Sequence, residues 1–132
     1  MNLFKSTPES CFYEISGFDY QTNFISGLLD LPEEYDKFQI AYIDENKEGK
    51  SGTLLFIHGH PTWSYIWRHL ISLALNHDFR VIAIDLPGFG KSDKPLTKSF
   101  FKFENYRKML LNFIDELKLE DLILVLHEWG GT

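Results

Sequence analysis

The composition of the 132-residue chain is that of a folded globular domain, with 44% hydrophobic, 16% aromatic and 24% charged residues, which excludes a disordered or low-complexity protein. Acidic residues outnumber basic ones by 19 to 13, for a formal net charge of -6, and this argues against a nucleic-acid partner, because such binding depends on clustered Lys and Arg. The single cysteine, Cys11, cannot form an internal disulfide, and no window approaches the roughly 18 apolar residues of a membrane span, so we expect a cytoplasmic protein with no membrane partner.

Residues 1–36 show no sustained hydrophobic period. Pro8, Gly17, Gly27 and Pro32 interrupt them, which predicts an extended lead-in laid over one continuous domain rather than a separate unit. The first ten residues lack the basic stretch and apolar run of a secretory signal. Four aromatic residues are expected to anchor the lead-in: Phe12, Phe18, Tyr20 and Phe24.

Residues 37–132 are predicted to form strands and helices in the order β-β-α-β-α-β. Residues 38–43 alternate with the two-residue period of a half-buried strand, and the continuous apolar runs at 53–58, 80–86 and 122–127 are typical of strands buried on both faces. Between these runs, Ser64 is a candidate N-cap for a first helix, and residues 103–117 carry the apolar face of a second. Their spacing assigns two sets of residues to the core: Ile66, Leu70 and Leu73 on the first helix, and Phe103, Tyr106, Leu110, Phe113, Ile114 and Leu117 on the second. This alternation predicts an α/β fold with a mostly parallel sheet.

The segments that follow the three buried runs are the candidate site, because ligands of parallel sheets bind beyond the carboxyl ends of the strands. They read HGHPTW, DLPGFGKSDKP and HEWGGT. The run LILVLHEWGG has the form of a nucleophile elbow, in which a buried strand turns sharply into a helix and exposes one residue. Glu128 occupies that position, and Gly130 and Gly131 allow the turn to approach its neighbours.

The turn after the central strand places backbone donors beside the elbow. By position, the N–H groups of His60 and Trp129 would form an oxyanion hole. His58 is expected to brace this turn through a hydrogen bond, and His127 to be packed on the opposite side of the strand. Asp85 and Asp93 flank a Gly-rich loop without the spacing of a phosphate site, and no residues show metal-ligand spacing.

These motifs resemble those of the haloalkane dehalogenase family of α/β-hydrolases. HGHPTWSYIWRHLI is similar to the family's HGNPTWSYLWR or HGEPTWSYLYR, GFGKSDKP to its G-x-GKSDKP loop, HEWGG to its HDWGG elbow and STPESCF to the RTPDQRF start of one subgroup. The resemblance implies the N-terminal portion of an α/β-hydrolase fold, with residues 1–132 as a partial domain that stops before the cap and the C-terminal half.

The resemblance also implies a chemistry. Glu128 would displace halide from a small halogenated apolar substrate and form an alkyl ester, which a His-activated water hydrolyses without cofactor or metal. Trp129 and His60 would hold the halide. The family has Asp where this chain has Glu128, and its catalytic His and acid follow the elbow, so we expect the isolated chain to be inactive. Two alternatives stay open, an epoxide hydrolase-type enzyme with an epoxide-like substrate and a non-catalytic homologue, and oligomeric state is left open.

Overall fold

The structure, a computed structural model, describes residues 2–29 and 32–132. This part of the chain forms seven strands and two α-helices. In chain order they are β1 (Phe4–Lys5), β2 (Asn23–Ile25), β3 (Ile40–Glu45), β4 (Thr53–Ile57), α1 (Arg68–Asn76), β5 (Arg80–Ile84), β6 (Lys94–Pro95), α2 (Phe103–Glu116) and β7 (Leu122–Leu126). None of the helices in the described ranges is long and apolar enough to cross a bilayer.

The main sheet has the strand order β2-β3-β5-β4-β7 and is mixed. β4 pairs in parallel with both β5 and β7, as predicted for strands joined by helical crossovers. β3 runs antiparallel to β5 and to β2, because the short turn after β3 reverses the chain before β4. The α/β fold is therefore confirmed, and the parallel part is confined to the three strands that carry the candidate site.

The lead-in is mostly extended and adds to the domain at two places. β2 pairs with β3 at one edge of the main sheet, and β1 pairs with β6. Phe18 is buried and packs edge-on against Tyr20, Trp63 and Tyr65, so it anchors the lead-in as expected. Phe24 does not, since its side chain is exposed.

Two apolar layers cover the faces of the main sheet. On one face α2 packs over β3, β4 and β5, with Met109 and Phe113 fully buried. On the other face α1 packs with Ile71 and Ala74 inward. Successive residues of β4 and β5 point into opposite layers, so both strands are buried on both faces, as their continuous apolar runs predict.

Two predictions of the core residues are wrong. Leu70 and Leu73 of α1 are exposed, because the buried face consists of Trp67, Ile71 and Ala74, which have the same helical spacing as the predicted set but lie one residue later in the chain. β7 is less buried than β4 and β5, with Leu124 and Leu126 exposed, since it lies at an edge of the sheet and no described helix covers it on the α2 side. Phe103 of α2 is likewise exposed.

We expect Phe113→Ala to lower the free energy of unfolding by about 3 to 5 kcal/mol, because it empties a fully buried site. The Phe113 ring packs edge-on against Tyr42, with centroids 5.1 Å apart, so both the helix and the sheet lose contacts. Leu73→Ala is the control on an exposed helix position and should change the stability by less than about 0.5 kcal/mol. Urea titrations followed by circular dichroism measure both, and equal effects would contradict the assigned core.

Candidate active site at the ends of the central strands

The chain turns sharply directly after β7, at Glu128. Glu128 has a φ of +52°, in the left-handed region that costs a non-glycine residue about 1 to 3 kcal/mol. A one-turn 3-10 helix, Glu128–Gly131, follows it, and the Glu128 side chain is exposed. Glu128 is one of six non-glycine residues with a positive φ in the described ranges, and it is the one that the sequence identifies as the tip of a nucleophile elbow.

The elbow is pressed against the end of β4 through two glycines. A Cβ on Gly130 would lie 2.4 Å from the carbonyl oxygen of Ile57 and 2.6 Å from that of His58. A Cβ on Gly59 would lie 2.7 Å from the carbonyl oxygen of His127. Because real Cβ atoms cannot approach backbone atoms this closely, both positions need glycine for the two turns to meet.

This contact brings a backbone donor to the Glu128 carboxylate. The N–H of His60 donates to Glu128 Oε2 at 2.9 Å. Trp129, the source of the second expected donor, follows Glu128 directly, and its indole is 61% exposed. The structure thus brings together Glu128, His60 and Trp129, the three site residues named from the sequence, and their roles stay predictions.

The side chains expected to hold a halide are neighbours. The imidazole ring of His60 packs edge-on against Phe89 with a centroid distance of 4.5 Å, and its centroid lies 6.4 Å from that of Trp129. Phe89 belongs to the loop after β5 and was not singled out from the sequence. It fixes the direction of the His60 ring, and the PGFG motif that contains it is the signal that could have identified it.

His58 supports the turn after β4 through hydrogen bonds, which confirms the prediction made for it. Its ring is fully buried, and Nε2 accepts the N–H of Leu86 at 2.9 Å. The proton must then be on Nδ1, which donates to the carbonyl of Gly59 at 2.9 Å. Burial lowers the pKa of the His58 imidazole, against the opposing effect of the Gly59 hydrogen bond, so the ring is held neutral.

His127 lies on the other side of the elbow. Its ring stands edge-on to Trp67, on the α1 side of the sheet, with a centroid distance of 6.2 Å. The expected direction is confirmed, but the expected burial is not, because His127 is exposed. Its position places it away from the His60 side of Glu128.

Two buried carboxylates organise the loop after β5. Asp85 accepts the N–H groups of Ser64 and Lys91 at 2.8 and 2.9 Å, and Asp93 accepts the N–H of Gln39 at 2.8 Å and the hydroxyl of Ser6. Asp85 thereby joins the start of the first helical segment to the GFGKSD loop. Asp85 therefore binds backbone N–H groups of two segments, and Asp93 binds one backbone N–H and one hydroxyl.

An apolar groove of about 740 Å³ opens beside the elbow, between α2 and β7. Its wall includes Leu86, Phe101, Leu110, Ile114, Leu126 and the side chains of His60 and Trp129. Tyr106 also lines it, but its hydroxyl donates to the carbonyl of Pro87 at 3.0 Å, and burial raises the pKa of Tyr106 to about 12. Within the described ranges no group of three His, Cys, Asp or Glu is close enough to hold a metal ion.

Comparisons with known proteins agree with this geometry. A family model described as the α/β hydrolase fold matches residues 52–132. Haloalkane dehalogenases of Psychrobacter cryohalolentis and Mycobacterium marinum are 31% and 30% identical to the chain, over 95% of its length but only 40% and 41% of theirs. The chain thus spans about two fifths of the curated relatives it matches.

Solved structures show the same likeness. A tetrameric haloalkane dehalogenase of Paraglaciecola agarilytica superposes with a TM-score of 0.89 at 40% identity, covering 97% of this chain and 42% of that one. An epoxide hydrolase mutant of Vigna radiata superposes with a TM-score of 0.69 at 25% identity, covering 85% and 32%. Both the fold and the identity are therefore nearer to that dehalogenase than to that epoxide hydrolase.

The neutral state of His58 predicts a pH dependence of stability. The unfolded imidazole protonates at its ordinary pKa of about 6.5, whereas in the folded chain the pKa is lowered. The contribution of His58 to the free energy of unfolding is therefore fully present above a pH of about 6.5, and it is lost as the pH falls through the pKa of the folded state.

We expect His58→Gln to be less stable than the parent at pH 8 but to lose less stability between pH 6.5 and 4.5. His69→Gln, at an exposed position of α1, is the control and should keep the parental slope. Urea unfolding across this pH range measures both variants. An unchanged slope in His58→Gln would contradict the buried neutral ring.

Proposed function

The chain belongs to the α/β-hydrolase fold family, and from this premise we propose that it carries the nucleophile and the halide-holding groups of a haloalkane dehalogenase-type site. The observation that carries the proposal is the strained Glu128, with its carboxylate on the N–H of His60. The names of the relatives that match most of the chain point to the same chemistry. The activity of a whole protein containing this chain is part of the proposal.

Glu128 acts as the nucleophile. Oε2 is held by the His60 N–H, which leaves Oε1 to attack the halogen-bearing carbon. The carbon–oxygen bond forms as the carbon–halogen bond breaks, and the halide leaves with the bonding pair. In the second step a general base beyond this chain takes a proton from water, and the water oxygen adds to the ester carbonyl carbon while the His60 N–H stabilises the negative charge that develops on Oε2. The intermediate then collapses, its hydroxyl proton passes to the departing alcohol oxygen, the carboxylate is restored, and the base releases its proton to solvent.

Trp129 and His60 receive the halide. The indole N–H and a protonated ring nitrogen of the imidazole are both donors, and the two rings stand side by side at the mouth of the apolar groove. A small apolar haloalkane fits such a wall, since most of the lining is hydrocarbon. This arrangement favours a halide as leaving group over groups that need a proton donor.

An epoxide hydrolase-type reaction is the second candidate, because it uses the same elbow and an epoxide hydrolase superposes on the chain. Ring opening of an epoxide needs a proton donor for the alkoxide. Tyr106 is the phenol in the groove, but its hydroxyl is engaged with Pro87 and its pKa is about 12. Tyr106 is therefore unsuited to that role, and the lower identity of the epoxide hydrolase, 25% against 40% for the dehalogenase structure, makes this reaction the second candidate.

The first test uses the protein by itself. Incubated with 1,2-dibromoethane, it should release at most about one bromide per chain and gain the mass of one bromoethyl group on Glu128, because hydrolysis needs a base. The base would have to lie beside Glu128, and among the described residues no ion pair joins a histidine to Glu128. Mass spectrometry and a bromide assay follow the reaction, with Glu128→Gln as the control that forms no adduct.

Repeated turnovers would show that the chain supplies its own base. They would contradict the proposal that the nucleophile lies in this chain and the base outside it. Absence of any adduct on the parent would favour the non-catalytic alternative. A glycol-forming reaction with an epoxide but no bromide release would favour the epoxide hydrolase alternative.

The second test uses a chimera in which Thr132 is joined to the part of the Psychrobacter cryohalolentis dehalogenase that the chain does not match. Glu128 is one methylene longer than Asp, and a displacement of about 1 Å can cost about 100-fold in rate. Glu128→Asp should therefore raise bromide release by about 10- to 100-fold. Trp129→Phe should lower bromide release, because it removes about 2 to 4 kcal/mol of transition-state stabilisation.

Trp63→Phe is the matched control for the loss of an indole, because Trp63 lies in the segment after β4 and packs against Phe18 and Tyr65. It should leave the rate within about threefold of the parent. A fall in rate with Glu128→Asp, or no change with Trp129→Phe, would show that the nucleophile position or the halide site is wrongly assigned.

A further inference from the structure

His60 is a position at which this chain departs from the family segments that it resembles. HGNPTW and HGEPTW have an amide or a carboxyl side chain after the HG pair, whereas HGHPTW has an imidazole. Of these three side chains, only imidazole gains a positive charge near neutral pH. The chain therefore has a proton-binding ring where the proposed function requires a halide-binding group.

The His60 ring is exposed to solvent, and its neighbours fix its direction. Its backbone N–H donates to Glu128 Oε2 at 2.9 Å, and its ring packs edge-on against Phe89 with a centroid distance of 4.5 Å. The Phe89 ring also stands edge-on to the buried His58, with centroids 5.6 Å apart. The His60 ring thus lies beside the Trp129 indole, at 6.4 Å between centroids, and can exchange protons with solvent.

Charged groups reach the His60 ring from two neighbouring segments. The turn after β7 contributes the Glu128 carboxylate, which is bonded to the backbone of His60 itself. Helix α2 contributes Lys102 and Arg107, which line the same groove, and Arg107 is paired with Glu104 at 3.2 Å. A proton on His60 would therefore add a positive charge directly beside the Glu128 carboxylate.

The other titratable groups of the packed segments are engaged elsewhere. His58 is neutral and uses both ring nitrogens on the backbone, and His127 lies on the α1 side of the elbow. In the loop after β5, Asp85 accepts two backbone N–H groups, and Lys91 Nζ donates to Thr22 Oγ1 at 2.9 Å. The remaining charged residues of that loop also bind backbone groups: Asp93 and Lys94.

A halide in this site lies next to a second negative charge. When the Glu128 carboxylate is ionised, it and the halide repel each other at close range. A neutral His60 leaves this repulsion uncompensated, whereas an imidazolium adds a positive charge and a second N–H donor. Halide binding and proton binding at His60 therefore favour each other.

We propose that His60 holds the halide as an imidazolium, so that the site takes up a proton with the halide and releases both together. The inference rests on the proposed function and adds a regulation to it, since halide affinity rises as the pH falls. The proton comes from solvent and returns to it, so the net reaction is unchanged. Loss of the proton leaves a neutral ring, from which the halide departs.

Bromide binding to the protein by itself tests this coupling without turnover. Sodium bromide is titrated at pH 5.5 and at pH 8.0, with gluconate holding the ionic strength constant. Nuclear magnetic resonance follows two signals, the indole N–H of Trp129 and the backbone N–H of His60. The Kd for bromide should be at least about fivefold lower at pH 5.5, a modest factor because the ion pair is exposed.

Three variants separate the His60 ring from other sources of pH dependence. His60→Asn restores an amide, so its Kd should agree at the two pH values within about twofold. Glu128→Gln should bind bromide more tightly than the parent at both pH values and keep the pH dependence, because it removes the repulsion and leaves the ring. His69→Asn, at an exposed position of α1, is the matched control and should behave as the parent.

Two results would overturn the inference while leaving the halide site in place. One is saturable binding to the parent with equal Kd at both pH values, and the other is a pH dependence that persists in His60→Asn. Absence of saturable binding to the parent, or an unchanged Kd in Trp129→Phe, would overturn the halide site of the proposed function and the inference with it. The bromoethyl adduct on Glu128 reports separately on the nucleophile.

Discussion

The contact between the turn after β4 and the turn after β7 is the constraint on which the site depends. Gly59 and Gly130 let the two backbones meet at distances that no side chain would tolerate. Because β4 and β7 are paired in parallel in register from Thr53 and Leu122 onward, both strands end at the same level. The backbone N–H of His60 can then donate directly to the carboxylate of Glu128.

Two buried polar side chains, His58 and Asp85, hold these turns in place, and both are hydrogen-bonded to the backbone. His58 is neutral and uses both ring nitrogens on the backbone, while Asp85 accepts two backbone N–H groups. A buried carboxylate or imidazole without partners would destabilise the fold by several kcal/mol. Gly90, with a φ of +51°, passes so close to Asp85 that a Cβ would clash with its carboxylate. The polar network therefore fixes the loops as firmly as the apolar layers fix the strands.

The sequence predicts most of this arrangement where a local signal determines the structure. The apolar runs place the parallel strands, and the elbow motif places Glu128 and its glycines, because strand burial and tight turns restrict the residue types directly. The core face of α1 is not determined in this way, since the predicted set Ile66, Leu70 and Leu73 and the buried set Trp67, Ile71 and Ala74 share the same helical spacing. The apolar run at 122–127 by itself does not indicate the exposure of β7, because an apolar strand reads the same whether its covering element is present or not.

The conformation of Glu128 bears on whether the elbow serves chemistry. A left-handed φ costs this residue about 1 to 3 kcal/mol. Five other non-glycine residues of the described ranges also have a positive φ, Lys118 and Asp121 among them, so the conformation by itself does not mark a catalytic residue. What distinguishes Glu128 is its surroundings, since its carboxylate accepts the His60 N–H and the next residue, Trp129, lines the apolar groove together with His60. The turn thus brings a carboxylate, a backbone donor and two ring donors to one apolar wall, which is the arrangement that the proposed nucleophilic role of Glu128 requires.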